Sequence, residues 1–181
     1  YLAACVYLLV LHASNLAYVF SMIWKDAFSV DSFAGGVAGR AVRYGISRGV
    51  FSNEAGMGSS PLSYASVEHA NAVEQGFWGI FEVFFDTLVV CFLSGLVILS
   101  SPVYGSDAQG VELLIACFRD GFGNMGGFLF ALSILFFAFP SIIGWYYYAS
   151  VCISYLFKKD WMLHIYQIVF LCLLLVGGMF D

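Results

Sequence analysis

The chain has 181 residues, 61% of them hydrophobic and only 10% charged, with a formal net charge of −5 and a mean hydropathy of +0.88. Soluble domains average about 45–50% apolar and about 25% charged residues, so this composition excludes an ordinary water-soluble enzyme and a disordered chain. The seven basic residues form no patch, which argues against nucleic acid as a partner and leaves lipid as the expected surrounding. The five cysteines, Cys5, Cys91, Cys117, Cys152 and Cys172, are scattered with no CxxC pair. They read as small apolar residues rather than a disulfide framework or a zinc site, and no cofactor is expected.

In chain order, an apolar run starts at Tyr1 with no basic n-region before it, so the sequence reads as part of a longer membrane protein rather than as a signal peptide. Spanning the bilayer as a helix takes roughly 20 mostly apolar residues. Segments 1–24, 77–99, 127–157 and 161–180 each meet that requirement. Lys158-Lys159-Asp160 is too short a connection for anything but an antiparallel hairpin. Segment 110–121 has apolar residues at 111, 114, 115 and 118, the helical period, and reads as a short amphipathic helix in a loop. Lysines at 158 and 159 place that hairpin in the cytoplasm. Arg40, Arg43 and Arg48 would then lie outside, against the same rule, unless they line an aqueous vestibule.

Residues 27–75 hold seven of the 19 glycines and no clean apolar run. Within 39–66 the centre, SNEAGMGSSP, is poor helix: Ser, Asn and Gly are weak formers, and Pro61 cannot donate inside a helix. Two half-helices joined by an unwound stretch is the direct reading; the bland alternative is an extracellular Gly/Ser loop. Unwound backbone survives at membrane depth only when buried in protein or lining a wet cavity. Its freed carbonyls, together with Glu54, suit a small hard cation such as Na⁺. The amides at 56–59 suit a carboxylate.

The string RGVFSNEAGMGSSP at 48–61 resembles the signature of the alanine/glycine:cation symporter family, the sodium:alanine symporters. GGVAG at 35–39, FFDTLVVC at 84–91 and FAFPSIIGWYYY at 137–148 extend the resemblance in the family's order. The resemblance implies an all-α integral membrane protein with a leucine-transporter-like bundle of inverted repeats, present in part, with one discontinuous helix at 39–66. The first repeat would mostly precede Tyr1 and be a partner of this segment. The implied function is sodium-coupled symport of small neutral amino acids, alanine or glycine, with Na⁺ as coupling ion. A proton-coupled carrier or exchanger of the same fold is the alternative. An enzyme using Glu54 with Ser52 or Ser59 lacks a nearby partner such as His.

The expected substrate pocket comprises Phe51, Ser52, Gly56, Met57, Gly58, Ser141 and Trp145. The expected sodium ligands are Glu54, Ser52, Asn53, Ala138 and Ser141. Pro140 stands where the family pattern has a hydroxyl, which shifts a second sodium site toward the carbonyls near Phe137 and Ala138. Phe51 and Trp145 each have a plainer reading, as helix packing and as part of an interfacial belt with Tyr146, Tyr147 and Tyr148. Glu82 and Asp86 are four apart with Thr87 beside them. Asp86 either relays a cation or proton, or orders the bundle by accepting hydrogen bonds from backbone amides or an arginine. His12, His69 and His164 show no partner pattern.

Overall fold

The structure, a computed structural model, describes residues 1–27, 37–54, 57–67 and 71–179. Among these every regular element is helical: α1 (Leu2–Leu11), α2 (Ala13–Ala27), α3 (Val37–Ser52), α4 (Ser60–Tyr64), α5 (Ala72–Phe84), a π-helical segment (Phe85–Cys91), α6 (Phe92–Ser100), α7 (Val111–Phe122), α8 (Asn124–Phe157) and α9 (Asp160–Gly177). Among the described residues three helices are long and apolar enough to cross a membrane, Ala72–Ser100 with its π segment, α8 and α9, of 29, 34 and 18 residues, and α1 with α2 would make a fourth if that bent pair is one span. At about 1.5 Å per residue, α8 reaches roughly 50 Å and exceeds the hydrocarbon thickness.

The residues cluster into two units, 1–56 with 71–134, and 57–70 with 135–181. The core of the first is built by Cys5 and Leu8 of α1, Val97 of α6, Cys117 and Phe118 of α7, and Phe130 of α8. Phe118 is fully buried and stacks on Tyr1 at 5.9 Å and meets Phe130 at 5.0 Å between ring centroids. The α7–α8 turn is tight because Gly123 takes φ +60 and Gly126 leaves no room for a Cβ against the carbonyl of Phe118. Thus α7, expected as a loop helix, supplies two of the best buried side chains of the unit. Its amphipathic stripe has apolar partners to cover it, which a lone helix in water would lack.

The run read as a span over 1–24 is built from two helices that together are long and apolar enough to cross but meet at 95°, as a broken span or a re-entrant loop would. His12 leaves helical geometry at φ −102, ψ 26, and the chain restarts with the Asn15 amide donating to the His12 carbonyl at 2.9 Å. Hydropathy registers only polarity, so it misses the bend. Two contacts fix it: the Asn15 side chain donates to the Ser100 carbonyl at 3.0 Å, and the Tyr1 hydroxyl and Ser94 hydroxyl lie 2.6 Å apart.

In the second unit, α8 and α9 form a hairpin with only Lys158 and Lys159 between them. Lys158 adopts φ 47, the left-handed turn that the short connection requires. Tyr146 stacks on Tyr166 at 5.6 Å and meets Phe170 at 5.5 Å, and Gln167 Nε2 donates to the Tyr146 hydroxyl at 2.8 Å. The helix surfaces beyond these contacts are apolar and exposed: Phe136 is 70% and Leu175 72% accessible. Lipid or protein must cover such surfaces.

Candidate functional site

Helix α3 ends at Ser52, and the next described helix starts at Ser60. The Asn53 amide still reaches the Gly49 carbonyl at 3.0 Å, but the Glu54 amide falls back on Phe51 at 3.3 Å. Glu54 takes φ 52 and Gly58 φ 80, both left-handed. Glycine does this freely, whereas a glutamate there costs about 1–2 kcal/mol.

The end of α3 is pinned to the π segment by side chains. Ser52 Oγ donates to Asp86 Oδ2 at 2.7 Å. Asn53 Nδ2 donates to Thr87 Oγ1 at 2.9 Å, and Thr87 Oγ1 donates back to Asn53 Oδ1 at 3.0 Å. Asn53, Glu54, Asp86 and Thr87 are half-buried, while Phe51 and Ser52 are exposed. Four oxygen-bearing side chains from two helices therefore converge inside a predominantly apolar unit. π-Helical turns concentrate at functional sites because the extra residue breaks the regular ladder and re-aims side chains. Here that widened turn carries Asp86 and Thr87 toward the end of α3. Hard oxygen donors of this type suit an alkali cation.

The remaining candidates belong to the second unit, except Gly56, which lies outside the described residues. Met57 is 46% and Trp145 40% exposed. Ser141 Oγ donates to the Phe137 carbonyl one turn back at 3.0 Å, an i−4 back-bond of the kind serines make inside helices. Trp145 lies edge-on to Tyr148 at 5.9 Å. Ala138 is in the turn before Ser141 on the same helix. Ser59 is only 7% exposed, and its hydroxyl has no hydrogen-bond partner among the described residues. A buried hydroxyl left so costs about 1–3 kcal/mol, which a polar ligand atom would recover.

Asp86 thus accepts from a serine hydroxyl, a partner that neither sequence reading named. The Ser52–Asp86 and Asn53–Thr87 pairs are 34 residues apart, beyond the reach of any local periodicity. Thr87, Val89 and Val90 are β-branched, weak helix formers, and that cluster was the available hint of an irregular turn. His12 also has a partner, Asp120 at 3.2 Å.

Several helices long and apolar enough to cross a membrane, beside a 16-residue helix that stops at a polar cluster, define a multi-pass membrane protein. The chain belongs to the sodium:alanine symporter family, whose model matches residues 1–181. It is 34% identical to the sodium/alanine symporter AgcS of Methanococcus maripaludis over 177 residues, 94% of this chain and 39% of that protein. It is 35% identical to the "Probable sodium/glutamine symporter GlnT" of Bacillus subtilis over 178 residues, 98% of this chain and 37% of that protein. It is 28% identical to the sodium/proton-dependent alanine carrier protein of Bacillus sp. strain PS3 over 175 residues, 88% of this chain and 39% of that protein. The chain therefore spans about two fifths of the length of these relatives. No solved structure matches it significantly.

Proposed function

We propose that the protein containing this chain is a sodium-coupled symporter of small neutral amino acids, alanine or glycine, working by alternating access across the cell membrane, and not an enzyme. Family membership supports cation-coupled amino-acid transport. The observation that carries the ion half is the convergence of Ser52 and Asn53 on Asp86 and Thr87. A cation at Asp86 would compete with the Ser52 proton for the carboxylate. The hydroxyl would then rotate and offer a lone pair instead. Ion binding would in this way rearrange the end of α3, next to Phe51 and Glu54. The unpartnered, buried Ser59 hydroxyl supports a polar ligand at the other end of the interruption, with Met57, Gly58, Ser141 and Trp145 as its expected neighbours and Ala138 as a further ion ligand. A leucine-transporter-like arrangement, in which the rest of the protein supplies a second repeat, accommodates this reading.

One relative is named for both sodium and proton dependence, and a carboxylate that accepts a serine proton is also chemically able to bind a proton itself. Proton coupling is therefore the second reading. The test is alanine and glycine uptake by the full-length protein in proteoliposomes, driven by a Na⁺ gradient, by choline replacement, or by a pH gradient. Uptake that follows Na⁺ alone supports symport with sodium; uptake that follows the pH gradient in choline replaces it with the proton reading. Glu54→Gln should weaken the Na⁺ response more than substrate binding at saturating Na⁺, and an unchanged sodium curve would remove Glu54 from the ion site.

A further inference from the structure

The bend between α1 and α2 carries a pair of groups that the transport reading leaves unused. His12, its side chain 15% exposed, sets Nε2 3.2 Å from Asp120 Oδ2 on α7, itself 31% exposed. Its Nδ1 lies 3.1 Å from the Leu8 carbonyl oxygen. A carbonyl and a carboxylate are both acceptors, and a neutral imidazole has one N–H to offer. One of the two contacts would then oppose lone pair to lone pair. Both are satisfied only when the pair holds one additional proton, on the ring or shared with the carboxyl group.

Among the described residues, no other such contact to the pair is seen. Helix α1 presents Cys5 two turns before His12, α6 has no charged side chain, and α7 brings Cys117, which feels the Asp120 charge. Glu112 is about two turns away from Asp120 on α7. Arg119 lies along Gly127 of α8, while Tyr18, Lys25 and Asp26 lie further along α2. Burial pushes the Cys117 thiol up, so it stays neutral beside the pair.

We propose that His12 and Asp120 form a proton-dependent latch that fixes the α1–α2 bend against α7. With the proton bound, both ring nitrogens are satisfied and the bend is fixed from two sides. Once the pair gives up that additional proton, one contact is lost. The core contacts of Cys5 and Leu8 with Cys117 and Phe118 persist, so α7 stays docked while the bend gains freedom.

The experiment is a double-mutant cycle with His12→Gln and Asp120→Asn in the full-length protein, read as thermal unfolding near pH 5.5 and near pH 8.5. The coupling should appear at acid pH as a Tm shift on the order of 2 °C and be mostly gone at alkaline pH. Equal coupling at both values, or none at either, would overturn the latch. A nitroxide pair at Val6 and Tyr18, 49% and 72% exposed, reads the bend with the native His12 in place. Its distance distribution should broaden as pH rises, and an unchanged distribution would also overturn the proposal.

Discussion

The first unit contains two places where a helix stops short, and they are completed by opposite chemistry. At His12 the interruption is packed: Leu8 and Cys5 before it are buried, Val19 after it is buried, and α7 covers the junction. At Ser52 the interruption is polar: a glutamate in left-handed geometry follows it, and its flanking side chains bond to a carboxylate and a hydroxyl on the π segment. The first kind of break redirects a chain so that apolar surface can be buried. The second gathers oxygen atoms and keeps part of them half-exposed, which packing alone does not require. A break with no packing purpose is where a ligand is to be sought.

The comparison predicts different consequences of mutation on its two sides. The largest concerns stability. Phe118 is fully buried among Tyr1, Phe122 and Phe130, so Phe118→Ala should cost about 3–5 kcal/mol through the cavity it leaves. Thermal unfolding of the purified full-length protein would measure it; a loss under about 1 kcal/mol, the level of an ordinary surface change, would mean that α7 is not core. Next in size is Asp86→Asn. Hydrogen bonds to a charged group contribute about 1.5–3 kcal/mol, so losing the charge should raise the half-saturating Na⁺ concentration about tenfold or more while leaving the fold intact. A sodium curve that does not move, with normal expression, would return Asp86 to a purely structural role.

The two breaks also differed in how far the sequence exposed them. The second was legible in composition: SNEAGMG cannot hold a helix, and α3 does end at Ser52. The long apolar runs announced the helices at 72–100, 124–157 and 160–177 because their length and apolarity are the physical requirement for spanning. The bend at His12 was not legible. It depends on Asn15 meeting a carbonyl 85 residues away and on a carboxylate at position 120. A single histidine in an apolar run carries no trace of either. The partner of Asp86 was hidden for the same reason: backbone amides or an arginine were the donors considered for it, and the actual donor is a serine hydroxyl 34 residues away. Helix α7 was seen as amphipathic, but which elements its apolar stripe meets is a tertiary fact.

Glu54 gives a sharper test of the polar break, because backbone and side chain make opposite demands. A left-handed glutamate costs about 1–2 kcal/mol relative to an unstrained conformation, and glycine removes most of that cost. Glu54→Gly should therefore raise stability by about 1 kcal/mol, partly offset by the greater freedom of glycine in the unfolded chain. If the carboxylate serves the ion, the same variant should lose sodium response while Glu54→Gln loses it without gaining stability. A Glu54→Gly protein that is less stable would mean the side chain holds the turn.

The smallest expected effect separates the two members of the polar clamp. Asn53 and Thr87 exchange two neutral hydrogen bonds at 2.9 and 3.0 Å, whereas Ser52 bonds to a carboxylate. Neutral hydrogen bonds contribute about 0.5–1.5 kcal/mol net, and both partners here are half-buried, so neither can be fully rehydrated when the other is removed. Thr87→Val keeps the branched shape and deletes the hydroxyl; Asn53→Ala deletes the amide. Each alone should destabilise by about 1 kcal/mol, and the double variant by less than the sum, because residues in contact are not additive. Neither carries charge, so both should leave the sodium half-saturation within a factor of about two, set against the tenfold change expected of Asp86→Asn. Should Thr87→Val shift the sodium curve as far as Asp86→Asn does, its hydroxyl is an ion ligand. The polar break would then be a site across its whole width rather than a carboxylate site beside a structural clasp.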